Sequence, residues 1–252
     1  MTPRRRRAKF LRCHHLFQGA DMYSFEVVVA RVDGSETSTS LLLDGCVAAG
    51  FTGRDQASVH THIEELKKLG VTTPYRIPAL YWISVHRLNR YAEIEVVGEK
   101  TSPEVEFFMA ADRAGTRYVT IASDHTDREL ETVSVSKSKQ VCDKVVGDIF
   151  WVVDDVADHW DEIEITSRVY DQTTWVEYQA GTLKDILHYS DLLTLVKKDN
   201  PEKSSPGLLS GTLPIIGSET VFATACEIRM NDLVLKRSIS KTYSIIGLPD
   251  RS

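Results

Sequence analysis

The sequence has no CxxC pair, no Walker-type phosphate loop, no GxGxxG fingerprint, no GxSxG elbow and no HExxH zinc motif. Its four cysteines, Cys13, Cys46, Cys142 and Cys226, are scattered without metal-ligand spacing. That pattern excludes a disulfide frame and suits free thiols in a reducing compartment. No apolar run approaches the ~18 residues of a membrane-spanning helix, so no membrane partner is expected. Positive charge is in the minority, with 30 Lys and Arg against 36 Asp and Glu and a net charge of −6. A general nucleic-acid binder is therefore not expected. The exception is the N-terminus, where Arg4–Arg7, Lys9 and Arg12 precede the first acid, Asp21. Residues 1–20 read as a basic, solvated tail, with organelle targeting or a nuclear-type cluster as the alternatives. Without an apolar h-region, a secretory signal is not expected, and the expected location is cytoplasmic.

What is present is a chain of short alternating segments. Residues 22–33 and the run TSTSLLLDGCVAAGFT read as strands. Between them and the next strand-like segment, ALYWIS, Val59, Ile63, Leu66 and Leu69 recur at helical spacing, with Gly70 placed for a C-cap. From Ala92 onward AEIEVV, EVEFFMA, YVTIAS, DEIEITSRVY, WVEYQA, LLSGTL, ACEIRMN, LVLKRSIS and TYSIIG all read as strands. Helical candidates are few: 134–142, 154–160 and 182–196. This pattern predicts an α+β, mostly β protein with a closed or rolled sheet, and a small N-terminal α+β portion over 21–91 packed on a β body over 92–252.

Chemistry concentrates between Ser102 and Glu131. Glu104 and Glu106 lie two apart in an apolar run, so on a strand both side chains share one face. Asp124 ends the next apolar run, YVTIASD. Three converging carboxylates repel one another unless a cation neutralises them, and an all-oxygen set suits Mg²⁺, Mn²⁺ or Ca²⁺ better than zinc. The plainer alternative is that both glutamates line the wet face of an amphipathic strand. His62 and Glu65, three apart on the expected helix, can form an oriented base, or an ordinary polar helix surface. Arg128, Lys137 and Lys139 follow Asp124 and can meet an anionic substrate, although such residues are more often solvated. Gly211–Thr212 can offer an amide and a hydroxyl to an anion, or form a plain turn.

The order of these motifs resembles the fumarylacetoacetate hydrolase superfamily. Gly53-Arg54-Asp55 stands where that family has a Gly-Arg-Asn-Tyr-like stretch, and His62-Ile63-Glu64-Glu65 where it has a His-x-x-Glu lid helix. Glu104-Val105-Glu106 matches its Glu-x-Glu. Ser123-Asp124-His125-Thr126-Asp127-Arg128-Glu129 matches its Asp motif, Lys139 its lysine (Lys137 being the next match), and Ser210-Gly211-Thr212-Leu213-Pro214 its late Thr-Gly-Thr-Pro. The resemblance covers about 50–247 and is nearest to a branch of fumarylacetoacetase-like proteins with HTHIEEL-like and SDHTDRELE-like segments.

It implies a mixed β-roll catalytic domain, a homodimer, and Mg²⁺ or Mn²⁺ held by Glu104, Glu106 and Asp124. The implied activity is a metal-dependent hydrolase or lyase that cleaves a C–C bond in, or decarboxylates, a small 2-oxo or β-diketo carboxylic acid. Isomerase, dehydratase and a catalytically silent small-acid binder are the alternatives. His62, Glu65 and Lys139 are the implied catalytic residues; Arg54, Arg128, Lys137 and Thr212 are the implied substrate contacts. Two departures stand out: Glu131 occupies the usual glutamine position, and YWIS lacks the family's Lys-Pro-Ser lysine.

Overall fold

The computed structural model describes residues 22–68, 74, 76–217 and 219–251. The basic tail over 1–20 and the expected helix stop at Gly70 lie outside the described residues. Among those described, the longest sheet runs Glu36–Leu43, Tyr23–Ala30, Ile149–Val152, Arg117–Asp124, Val105–Ala111, Pro206–Leu209, Gly45–Gly50, Ala79–Ile83. Lys144–Val146 and Leu88–Asn89 join it beside the Asp124 end of the central strand. A five-stranded sheet packs against it, in the order Trp175–Thr182, Glu164–Tyr170, Ala225–Asp232, Arg237–Leu248, Glu93–Val97.

The Val105–Ala111 strand shows why the long sheet is central. It is apolar at nearly every position because both of its faces are covered. Val105, Phe107 and Met109 point into the core between the two sheets, with Ile165, Tyr178 and Ile228 opposite. Phe108 and Ala110 point the other way, into a second core with Phe25, Leu41, Cys46 and Phe150. The second core is enclosed because the long sheet curls on itself: Leu41 of an edge strand bridges to Asp112, just past a central strand. That curl is the expected roll, and burying both faces of so many β-branched and aromatic residues is what drives it.

Most expected elements form, with four differences. The helix near residue 58 spans Gln56–Lys68, and Val135–Val141 is helical as expected. The stretch 154–160 is two 3₁₀ turns rather than an α-helix. The stretch 182–196 divides into the turn Leu183–Asp185 and the helix Tyr189–Asp199, which starts at a cap formed by the His188 ring. LVLKRSIS and TYSIIG belong mainly to one strand, Arg237–Leu248. The boundary expected near residue 91 runs through a sheet, because Tyr23–Ala30 through Ala79–Ile83 are members of the same sheet as the Glu106 and Asp124 strands. Cys46, Cys142 and Cys226 are free and buried, and none of the described helices is long and apolar enough to cross a membrane.

Candidate metal centre

Glu104, Glu106 and Asp124 meet at one end of the second core. Antiparallel register places Val105 opposite Ser123, so Glu104 and Asp124 face each other across the pair, and the Asp124 amide donates to the Glu104 carbonyl at 3.0 Å. Glu106 follows two residues on, on the same face. One carboxylate oxygen from each acid lies within 4.8 Å of the others. Glu106 and Asp124 have no exposed surface and the Glu104 side chain is 14% exposed, which argues against the wet-strand alternative for the two glutamates.

Each acid is held differently. Lys139 Nζ donates to Glu104 Oε2 at 2.9 Å and to Asp124 Oδ2 at 2.5 Å. Arg128 donates to Glu104 Oε1 at 3.0 Å, to Glu131 at 2.8 Å and to the Ser102 hydroxyl at 2.6 Å. Burial alone would raise the Glu104 carboxyl, but the Lys139 and Arg128 charges outweigh it and lower its pKa to about 2. The same three carboxylates hold the Lys139 ammonium protonated against its own burial.

Glu106 has no such cation of its own. Its Oε2 accepts the Gly211 amide at 2.9 Å, while its Oε1 is buried with no partner among the described residues. Burial, followed by the Asp124 charge, pushes its carboxyl well above the usual range. A buried carboxyl in that state needs a proton or a cation. Three convergent carboxylates with one unsatisfied oxygen therefore fit a hard divalent ion such as Mg²⁺.

Next to the triad is a cavity of about 1020 Å³, walled by the Gly45–Gly50, Ala79–Ile83 and Val105–Ala111 strands, the Gln56–Lys68 helix and the Val135–Val141 helix. Glu104, Glu106, Lys139 and Thr212 line it. The Thr212 hydroxyl donates to the Val105 carbonyl and accepts from Gln179, so its proton is committed to the wall. Arg54 also lines the cavity, but four of its guanidinium N–H groups are used by Asp161, Ile186 and Leu183. It braces the cavity rim, a correction to its expected role in holding substrate. Arg128 is corrected likewise, since its contacts fix Glu104. Lys137 is exposed on the outer side of its helix, whereas Lys139, two residues on, turns inward. His62 and Glu65 fall on the helix that covers the cavity, but their side chains lie outside the described ones.

Two groups at the site, Lys144 and His125, were not expected. Lys144 Nζ lies 2.6 Å from Asp124 Oδ1 with no exposed surface. A lone lysine opening the apolar run KVVGDIFWVV is the available sign, since a charge in a buried strand needs a counter-charge. His125 is buried with both ring nitrogens engaged, by Thr101 at 2.9 Å and Tyr243 at 3.2 Å. Burial, with Lys144 and Arg128 adding to it, lowers its pKa to about 3 and keeps it neutral. Gly211 holds a φ of +85°, and an added Cβ would collide with Thr52. Its amide reaches an anion as the Gly–Thr motif suggested, but that anion is Glu106.

A family model described as "Protein of unknown function (DUF2848)" matches residues 49–243. The chain belongs to that family. No curated protein matches this chain. Among solved structures it is similar to a 2-keto-3-deoxy-D-arabinonate dehydratase in its apo form, with a TM-score of 0.60 and 16% identity over 82% of this chain and 74% of that one. A second structure of that dehydratase, complexed with magnesium and 2,5-dioxopentanoate, gives 0.57 and 14% over the same shares. Cg1458 gives 0.56 and 12% over 85% and 83%. At these identities the likeness is one of fold, and it is the fumarylacetoacetate hydrolase-like fold. The matching family model is DUF2848, so the narrower resemblance to a fumarylacetoacetase branch gains no support.

Proposed function

We propose that this DUF2848 protein is a divalent-metal-dependent enzyme acting on a small 2-oxo carboxylic acid, as a lyase or hydrolase. The observation that carries the reading is the largely buried triad with the unsatisfied Glu106 oxygen, beside a cavity that Glu104 and Glu106 line. Glu104, Glu106 and Asp124 would hold Mg²⁺, or Mn²⁺, and the ion would supply positive charge to stabilise a developing oxyanion on the substrate. Lys139 keeps two of the acids aligned and adds a fixed positive charge beside them. Being held protonated, it serves charge and not base chemistry. His62, oriented by Glu65, is the proposed proton acceptor on the covering helix. The Thr212 hydroxyl, already donating to Val105, offers the substrate its remaining lone pair.

Between reaction types, dehydration gains support over C–C cleavage and decarboxylation from the fold neighbour, a 2-keto-3-deoxy-D-arabinonate dehydratase. A homodimer belongs to the same reading, and sedimentation at the monomer mass of 28.3 kDa alone would remove it. The central test is Mg²⁺ titration by calorimetry on the parent and on Glu106→Gln. The parent should bind and the variant should not, with turnover of 2-oxo acids lost under EDTA. Equal binding by both, or turnover indifferent to EDTA, would sink the reading.

A further inference from the structure

The cavity contains two further hydroxyls that no described residue satisfies. Tyr81 Oη and Thr52 Oγ1 are both buried, and neither has a hydrogen-bond partner among the described residues. Both residues line the cavity, where much of the remaining wall on their side is Ala49, Val59, Val135 and Leu213. Native interiors leave few polar atoms unsatisfied, and two in one cavity point to a partner that arrives with the ligand.

Their placement is specific. Tyr81 pairs with Ala48 and shares a strand face with Ile83, which enters the second core, so it stands on the face that carries Glu106. Its ring crosses Gly50, where an added Cβ would stand 3.1 Å from Cε2, so the glycine leaves room for it. The hydroxyl is within electrostatic reach of Lys139, Glu131 and Glu104, which sets it beside the triad. Thr52 follows Phe51, a non-glycine residue held at φ +58°. Left-handed backbone at a bulky residue is a strained conformation that persists where the surroundings impose it. Here it turns Thr52 toward Gly211, the residue whose amide holds Glu106.

We propose that Tyr81, with Thr52 beside it, reads a hydroxyl on the carbon chain of the substrate, which makes the substrate class hydroxylated 2-oxo acids. This rests on the metal-dependent 2-oxo acid reading above and narrows it. The oxo and carboxylate oxygens belong to the triad end, and the chain beyond them passes the two hydroxyls. A 2-oxo acid lacking the hydroxyl would leave both of these groups unpaired in an otherwise apolar wall. Sites built to bond a hydroxyl reject the analogue without it far more strongly than apolar pockets reject an added methylene.

The test is calorimetric titration of the full chain with Mg²⁺, using 4-hydroxy-2-oxopentanoate and 2-oxopentanoate as probes. The parent should bind the hydroxylated acid about tenfold or more tightly. In Tyr81→Phe that ratio should fall toward one, and Thr52→Val should lower it in the same direction. Without ligand, Tyr81→Phe should melt no lower than the parent, because the hydroxyl it removes has no partner among the described residues. Equal affinities in the parent, an unchanged ratio in Tyr81→Phe, or a lower ligand-free melting temperature would each overturn the inference. Binding of both acids without preference removes this inference alone, whereas binding of neither removes the 2-oxo acid reading with it.

Discussion

A carboxyl without solvent has to be neutralised by something, and at Glu106 the described residues supply only the Gly211 amide as a hydrogen-bond partner. Its folded pKa lies above the unfolded value, so in the metal-free protein the folded state holds this proton more tightly. The associated stability is complete below the unfolded pKa and is lost as pH rises through the folded one. In EDTA, the stability of the parent against denaturation should therefore fall relative to Glu106→Gln as pH rises above about 4.5, by at most about 1.4 kcal/mol per pH unit. Mg²⁺ should oppose this loss and release a proton on binding, and its affinity should increase with pH. A parent-minus-variant difference that stays flat with pH would contradict the assignment.

His125 titrates the opposite way. Its folded pKa of about 3 lies below the ordinary histidine value, so the neutral ring stabilises the fold above ~6.5 and that contribution is lost as pH falls toward 3. By NMR its ring signals should show no titration between pH 8 and 5. A midpoint in that range would mean that the ring is hydrated.

At the scale of elements, the loop after Pro206–Leu209 is the piece on which the site depends most. Gly211→Ala would place a Cβ against Thr52 and force a left-handed residue, costing about 2–4 kcal/mol in chemical denaturation and weakening Mg²⁺ binding as well. Loss of metal affinity without loss of stability would show that the amide alone matters.

This scale also shows what could be read in advance. Glu104, Glu106 and Asp124 were legible because strand periodicity fixes the face of each, and register does the rest. Lys139 was legible through the resemblance, but spacing alone did not separate it from Lys137. The short helix Val135–Val141 points one lysine outward and the other inward. Arg54 and Arg128 were misread because their partners, Asp161 and Glu104, lie 107 and 24 residues away along the chain. Lys144 and Tyr81 give little local signal: each is defined by what the roll brings next to it.

For the whole molecule, the roll encloses its acids by curling a sheet whose edge strand reaches back to its centre. The N-terminal strands therefore cannot be removed as a separate unit. Truncation before Gly50 should abolish cooperative unfolding and should not leave an active body, as thermal denaturation would reveal. Mg²⁺ at a hundred times its Kd should add about 2.7 kcal/mol, a rise of about 5–11 °C in Tm for a chain of this size. No rise with Mg²⁺ or Mn²⁺ would count against a resident cation.

The bond from Gly211 to Glu106 joins positions 105 residues apart in the chain. It also ties one backbone nitrogen to the charge on one carboxylate. The amide resonance of Gly211 should thus act as an internal electrometer, moving when Glu106 exchanges a proton for a cation. A single assigned peak could then report, without substrate or turnover, whether the centre is filled.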